Sequence, residues 1–437
     1  MSADPVFERQ GVPADTPFVL QDGELHVGGV ALSAIADVAD TPTYVYGGAE
    51  IDRAYERVAG AMAGITDRDV LVAYAIKANG NLALLARLAR LGCGADIVSG
   101  GELLRATKAG IDPAKIVFSG VGKRAEEIRA ALKAEIRAIH VESPTELELV
   151  IEEAKRRGVA APIALRVNPN VDAETHPYIA TGLHSTKFGL ELDVATELLG
   201  GIVQSPHLRL EGVACHIGSQ LGSVDPLEEA VAILGRFAHE CRKAGAPLTS
   251  LDVGGGWPMS YGHEEAPYPA SAEFAAAIAR GIQAADAADF DLITEPGRAL
   301  VGTAGALLTR VVNVKQQGDK RFVIVDAAMT ELLRPALYHA YHAIVPVRAS
   351  DAPRTPADVV GPVCESGDFF ARSRNLPSDV APGDLLAILG AGAYGREMSM
   401  TYNARPPAAE VLVDQGEWRT VRRRATVESL WALEEIG

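Results

Sequence analysis

Between Val70 and Glu295 the chain repeats one pattern eight times: a short apolar run that closes on small or polar residues. The runs end at Ile76, Val98, Phe118, Val141, Val167, Cys215, Val253 and Thr294. Between most of them lie stretches in which apolar positions return every third or fourth residue, at 81–91, 102–109, 125–134, 144–157, 226–244 and 270–287. A continuous apolar run is the mark of a strand buried on both faces, and the 3.6-residue period that of a helix with one apolar face. Eight such units in ~250 residues predict a TIM barrel. A doubly wound open sheet is the alternative.

The flanks read differently. Residues 1–45 hold short alternating runs such as Glu24-Leu25-His26-Val27, and β-like stretches follow at 307–314, 322–326, 357–363, 384–389 and 409–413. These predict a β-rich second domain built from both termini, residues 1–45 plus 303–437, beside a barrel of residues 46–302. Residues 349–357 are the expected exposed loop.

With 437 residues and 48% apolar content, the chain can bury a large core. A net charge of −16 argues against nucleic acid or an anionic membrane as partner. The first thirty residues carry no basic-then-apolar leader, and no run approaches the length of a membrane span, so a cytoplasmic protein is expected. Cys93, Cys215, Cys241 and Cys364 are scattered without a CxxC pair, which favours neither a disulfide framework nor a zinc site.

In a barrel, chemistry belongs just after the strands. Lys77 stands there, at the end of Val70–Ile76. Desolvation on such an apolar floor lowers a lysine pKa, and a partly neutral amine attacks an aldehyde, which is how pyridoxal phosphate (PLP) is held. The alternative is a strand-end lysine reaching solvent. Gly254-Gly255-Gly256 and Gly297-Arg298 follow the seventh and eighth strands, where barrels bind phosphate through backbone N–H groups, although three glycines also suit a tight turn. Glu295 is placed to face a pyridine nitrogen and keep it protonated; the alternative is an ion pair with Arg298 or Arg166. His216 offers a flat ring for stacking, with Ser219 and Gln220 as donors nearby, or else is a core histidine satisfied by a carbonyl.

Three other patterns carry less. Gly390-Ala391-Gly392-Ala393-Tyr394-Gly395 fits a dinucleotide fingerprint, with Asp414 following, but Pro406-Pro407 cuts the next helix short. His339 and His342 are spaced for a metal, yet no HExxH or acidic cluster accompanies them, so no metal is expected. Cys364 has no histidine tied to it that would suggest a cysteine hydrolase.

Tyr74-Ala75-Ile76-Lys77-Ala78-Asn79, Ser99-Gly100-Gly101-Glu102-Leu103, Lys187-Phe188-Gly189, His216-Ile217-Gly218-Ser219-Gln220, the triple glycine, Glu295-Pro296-Gly297-Arg298, Cys364-Glu365-Ser366-Gly367-Asp368 and Tyr402-Asn403-Ala404-Arg405-Pro406 occur in one order. In that order the chain after Thr41 resembles the diaminopimelate decarboxylase family of fold-type III PLP-dependent decarboxylases. The resemblance implies an alanine-racemase-like barrel with a C-terminal β-domain, and a homodimer with shared active sites. It makes Lys77 the Schiff-base lysine, His216 the ring-stacking histidine, and Cys364 the proton donor. Ser219, Gly254, Gly255, Gly256, Glu295, Gly297, Arg298 and Tyr402 match cofactor-binding positions. Arg298, Arg334, Tyr338, Glu365 and Tyr402 match substrate-binding ones. Trp257-Pro258 departs from the smaller residues expected after the glycines.

The implied reaction is decarboxylation of meso-2,6-diaminopimelate, a small amino-acid substrate, to L-lysine and CO2, the last step of lysine biosynthesis. Glu365 favours this over the ornithine-type enzymes, which usually have an aspartate near this place. The alternatives are a decarboxylase of the same fold for another amino acid (D-configured, ornithine, lysine or a carboxylated polyamine), or a silent PLP-fold binding protein. The presence of Lys77, Glu295 and Cys364 argues against the last.

Overall fold

A computed structural model describes residues 12–13, 15–66, 68–172 and 186–436. The first eleven residues of the expected β-rich N-terminal segment lie outside these. The chain divides into two compact units, one of Ala54–Pro258 with Pro267–Ala299, the other of Met1–Arg53, Met259–Ala266 and Leu300–Gly437.

The first unit is a closed, all-parallel, eight-stranded barrel. Its strands are β1 (Val70–Ala75), β2 (Gly94–Ile97), β3 (Ile116–Phe118), β4 (Ala138–Val141), β5 (Ala161–Arg166), β6 (Leu208–Ala214), β7 (Ser250–Asp252) and β8 (Asp291–Thr294). Pairing of Leu292 with Val70 closes the ring and removes the open-sheet alternative. Every strand ends within one residue of its apolar run. Small and β-branched residues such as Ala73, Val117 and Ile293 pack the interior.

The six helices expected from periodicity form, two of them with unchanged bounds, Ala125–Ala134 and Pro144–Arg157. Ser143 illustrates how the ends are set. Its hydroxyl accepts from the Glu146 N–H at 3.1 Å, Pro144 needs no donor partner at the first turn, and Gly158 closes the last turn in the left-handed region. Periodicity did not reveal the helix Leu192–Gln204, because Gly200-Gly201 interrupts it with two consecutive residues of the weakest helix former after proline. Its buried Ala195, Leu199 and Ile202 carry it instead.

In the second unit a long strand, Gly305–Gln317, is the hub. Thr43–Gly47, Lys320–Val325 and Leu385–Leu389 all pair antiparallel with it. Ala409–Asp414 then lies parallel to Thr43–Gly47. A three-stranded sheet, Phe18–Gln21, Glu24–Val27 and Val30–Ala31, completes the unit. Phe18, Leu25, Val45, Leu308, Val345 and Val411 share one core. The expected loop at 349–357 is shorter than its sequence suggests, because Arg354–Val360 is a strand paired with Phe369–Pro377. Pro356 is tolerated because the strand's other neighbour pairs with it only from Asp358 onward.

The GxGxxG stretch follows the strand Leu385–Leu389 but leads into a single 3-10 turn, Arg396–Met398, rather than a helix. A Cβ on Gly392 would lie 1.9 Å from the Val301 carbonyl, so that glycine permits a close backbone approach. No described helix is long and apolar enough to cross a membrane.

Candidate active site

Ile76–Ala78 is one 3-10 turn directly after β1, and it turns Lys77 out of the strand. Its Nζ meets the Asp96 Oδ2 at 2.6 Å. The apolar floor expected under Lys77 therefore contains a carboxylate, from the centre of β2. Burial pushes the Asp96 carboxyl up, but the Lys77 ammonium, with hydrogen bonds from Lys77 and Ser119, brings it below the ordinary carboxylate range.

A second cluster joins the ends of β3, β4, β7 and β8. His140 Nδ1 lies 3.1 Å from the Ser119 hydroxyl and 3.9 Å from the Glu295 Oε1. Its Nε2 is 3.7 Å from the Asp252 Oδ2. His140, Asp252 and Glu295 are all buried. Burial, followed by the charges of Asp252 and Asp96, raises Glu295 well above its ordinary value. Burial likewise pushes Asp252 up to about 7, against the Gly254 N–H that lowers it. His140 falls to about 3, chiefly through burial, with Lys123, Arg166 and Lys77 adding to the effect. Burial thus favours an uncharged His140 ring and the protonated form of the carboxyl groups beside it.

The arginines proposed as partners of Glu295 have other roles. Arg166 Nη1 bridges Glu142 at 2.9 Å, and Arg298 Nη2 donates to the Ser219 hydroxyl at 3.1 Å. His216 Nδ1 accepts the Gly255 N–H at 3.0 Å, so the hydrogen of the neutral ring belongs on Nε2. Burial first, then Lys77 and Arg166, depress His216 to about 3.

The triple glycine is partly spent on this framework. Gly254 donates its N–H to Asp252 Oδ1 at 2.9 Å, and Gly255 donates to His216. Two of the three N–H groups expected to face a phosphate thus point to side chains of the barrel. What these glycines supply is clearance: a Cβ on Gly254, at φ +71°, would sit 2.4 Å from the Cys215 carbonyl, and one on Gly255 2.3 Å from the Glu295 carbonyl. Trp257 secures the turn, donating from Nε1 to Thr294 Oγ1 at 2.9 Å while its ring packs on Phe274 with centroids 4.4 Å apart. The departure at Trp257 is therefore a tie between the loop and β8.

The remaining expected residues belong to the second unit. Arg334 is buried on the short helix Arg334–Tyr338, its guanidinium 5.0 Å from the centre of the Tyr261 ring. Cys364 and Glu365 are exposed, on a loop between the strands Arg354–Val360 and Phe369–Pro377. Asp368 shapes this loop by accepting the N–H groups of Val363 and Met329, and Asn403 accepts the Cys364 N–H at 2.9 Å, joining it to the turn that carries Tyr402. His339 is exposed, whereas His342 is buried with its two ring nitrogens against Arg334 and the Leu389 carbonyl.

Sequence reasoning missed Asp96, His140 and Asp252. Asp96 and His140 are each the one polar side chain of an otherwise apolar strand, and Asp252 ends the strand Ser250–Asp252; that was the signal available.

A barrel whose mouth sets a lysine against an aspartate, a buried glutamate beyond it and a glycine-rich turn after β7 is built for an aldehyde cofactor. The residues present fit PLP: an amine for the aldehyde, a buried carboxyl for the ring nitrogen, and Ser219, Gly256 and Arg298 for a phosphate. Asp96 Oδ1 and Asp252 Oδ2 are buried without a hydrogen-bond partner among the described residues, as expected where a polar group is to be received.

Residues 48–302 match the pyridoxal-binding domain of the pyridoxal-dependent decarboxylases. The chain is 47% identical over 419 residues to diaminopimelate decarboxylase of Pseudomonas aeruginosa, covering 96% of this chain and 99% of that one. It is similar in structure to diaminopimelate decarboxylase of Helicobacter pylori complexed with L-lysine, with a TM-score of 0.87 and 43% identity over 92% of this chain and 99% of that chain. The enzyme from M. jannaschii in co-complex with L-lysine gives a TM-score of 0.91 at 38% identity, over 97% and 98% of the two chains. The chain belongs to the diaminopimelate decarboxylase family of fold-type III PLP-dependent decarboxylases.

Proposed function

We propose that this enzyme decarboxylates meso-2,6-diaminopimelate at its D-configured carbon to give L-lysine and CO2. The observation that carries the reading is the Lys77–Asp96 pair in a barrel that also buries Glu295, in a chain that matches diaminopimelate decarboxylases over nearly its whole length. Bound PLP supplies an aldehyde and a ring that takes up the electron pair left when the carboxylate departs.

Asp96 holds the Lys77 amine at the aldehyde end. Glu295 holds a proton at the ring nitrogen, keeping the ring electron-poor, and the neutral His216 covers its face without adding charge. Arg298 and Ser219 hold the phosphate. Arg334 and Tyr338 take the distal carboxylate of the substrate and Glu365 its distal ammonium, with Tyr402 as a further substrate and cofactor contact. The Cys364 thiol gives its proton to the carbon that has lost CO2. Fixing the distal group orients the bond to be broken. A cytoplasmic location and a homodimer with shared sites complete the reading.

The test offers purified protein with PLP separately to meso-diaminopimelate, lysine and ornithine, and identifies the product and evolved CO2. CO2 from ornithine or lysine but not from diaminopimelate would transfer the assignment to another decarboxylase of this fold.

Two further outcomes are expected. Glu365→Gln should raise KM for diaminopimelate roughly 10- to 100-fold, the range for losing a hydrogen bond to a charged group, with PLP affinity unchanged. Equal losses in both would put Glu365 against the cofactor. If sites are shared between subunits, mixing inactive Lys77→Ala and Cys364→Ala proteins under subunit exchange should restore activity. Recovery is capped at roughly a quarter of wild type for random pairing in a twofold dimer. No recovery, with exchange confirmed by an independent label, would mean that each chain builds its own site.

A further inference from the structure

His342 is fully buried, three residues beyond the exposed His339, and its surroundings dictate its protonation. Its Nδ1 lies 2.9 Å from the Leu389 carbonyl oxygen, and its Nε2 lies 2.9 Å from Arg334 Nη1. A carbonyl oxygen only accepts, so Nδ1 carries the hydrogen. A guanidinium only donates, so Nε2 is the bare, accepting nitrogen. The ring is therefore neutral, and both its nitrogens are committed. Tyr261 closes the arrangement: its ring meets the His342 ring edge-on at 5.2 Å and 84°, and the Arg334 guanidinium lies 5.0 Å from its centre.

We propose that His342 is a positioning residue for Arg334, one that sets the guanidinium before substrate arrives and so contributes to selection of substrates with a distal carboxylate. The inference rests on the reading of Arg334 as the cation for that carboxylate. An arginine side chain has several rotatable bonds, and a free one would have to be ordered on binding. Here His342 accepts one of its N–H groups and Tyr261 supports its plane, while the backbone carbonyl of Leu389 locks the imidazole that does the accepting. The Leu389 carbonyl belongs to the strand Leu385–Leu389, which is paired to the long hub strand, so Arg334 is referred to the rigid sheet rather than to its own five-residue helix.

The test compares His342→Phe, His342→Asn and His342→Gln in the PLP-loaded enzyme. Phenylalanine fills the space without an acceptor; asparagine is too short to reach Arg334; glutamine can donate to Leu389 and accept from Arg334. With Phe and Asn, KM for diaminopimelate and Kd for L-lysine, measured by titration calorimetry, should rise together by roughly 10- to 100-fold. The visible PLP absorbance and inhibition by cadaverine, which has no carboxylate, should stay as in wild type, and Gln should recover most of the loss. In an Arg334→Met background His342→Phe should add less than about threefold, because the two residues act as one unit.

Folded Phe or Asn variants with KM and lysine Kd within twofold of wild type would overturn the proposal, as would equal weakening of cadaverine or full additivity with Arg334→Met. If Phe fails to fold, the Asn and Gln variants decide. If Arg334→Met alone leaves KM and lysine Kd unchanged, the reading of Arg334 has failed instead.

Discussion

Lys77→Ala should abolish decarboxylation by several orders of magnitude and remove the visible absorption of lysine-bound PLP and the borohydride-fixed adduct, since no other amine among the described residues is set against Asp96. The structure adds a complication. Asp96 is fully buried, and the alanine variant leaves its carboxylate without its cation, at a stability cost of about 1–3 kcal/mol, discounted because the Lys77 side chain is itself 35% exposed. Lys77→Arg separates the effects: it retains a cation beside Asp96 but offers no amine to the aldehyde. A folded arginine variant, judged by circular dichroism and melting, should be as inactive as the alanine one. Substantial turnover and an intact PLP band in either variant would remove Lys77 from its proposed role.

Glu295→Gln should lower kcat roughly 10²- to 10³-fold, the loss typical when one buried electrostatic contact to the reacting system is removed. Burial, with Asp252 and Asp96 close by, makes the glutamate carboxyl reluctant to ionise in the protein alone. A ring nitrogen beside it can share that proton, leaving a carboxylate against a protonated ring. Glutamine can form a hydrogen bond there but carries no compensating charge. PLP should still bind, because the amine and phosphate contacts survive, and the pH dependence of its visible band should change. A variant with kcat within tenfold of wild type and an unaltered spectral titration would show that Glu295 does not set the ring's protonation.

The barrel was legible because most positions of its strands are buried and the strands are therefore written as largely apolar runs. The helix Leu192–Gln204 was not, since its glycine pair hides a face that tertiary packing nevertheless covers. The strand Phe369–Pro377 was hidden by Arg372, Ser373 and Arg374, and Glu417–Arg422 is polar almost throughout; each is an edge strand held by pairing with the strand just before it, Arg354–Val360 and Ala409–Asp414. Lys77 and Glu295 stood out because they follow strands. Asp96, His140 and Asp252 did not, because one polar residue inside a strand or at its end reads the same whether it faces solvent or the barrel interior. Nor does a run of three glycines reveal that two of its N–H groups are taken by Asp252 and His216, which depends on contacts between different strands.

The strand Thr43–Gly47 has consequences for how the protein is made. Both its partners, Gly305–Gln317 and Ala409–Asp414, leave the ribosome long after it does. The barrel strands from Val70 to Thr294 are all synthesised in that interval and pair among themselves, so they can assemble while the earlier segment waits. Until Asp414 has emerged, Thr43–Gly47 is an apolar strand with an unfilled edge, open to association with other nascent chains. Late closure of this sheet is thus the step at which chaperone protection would matter most during synthesis.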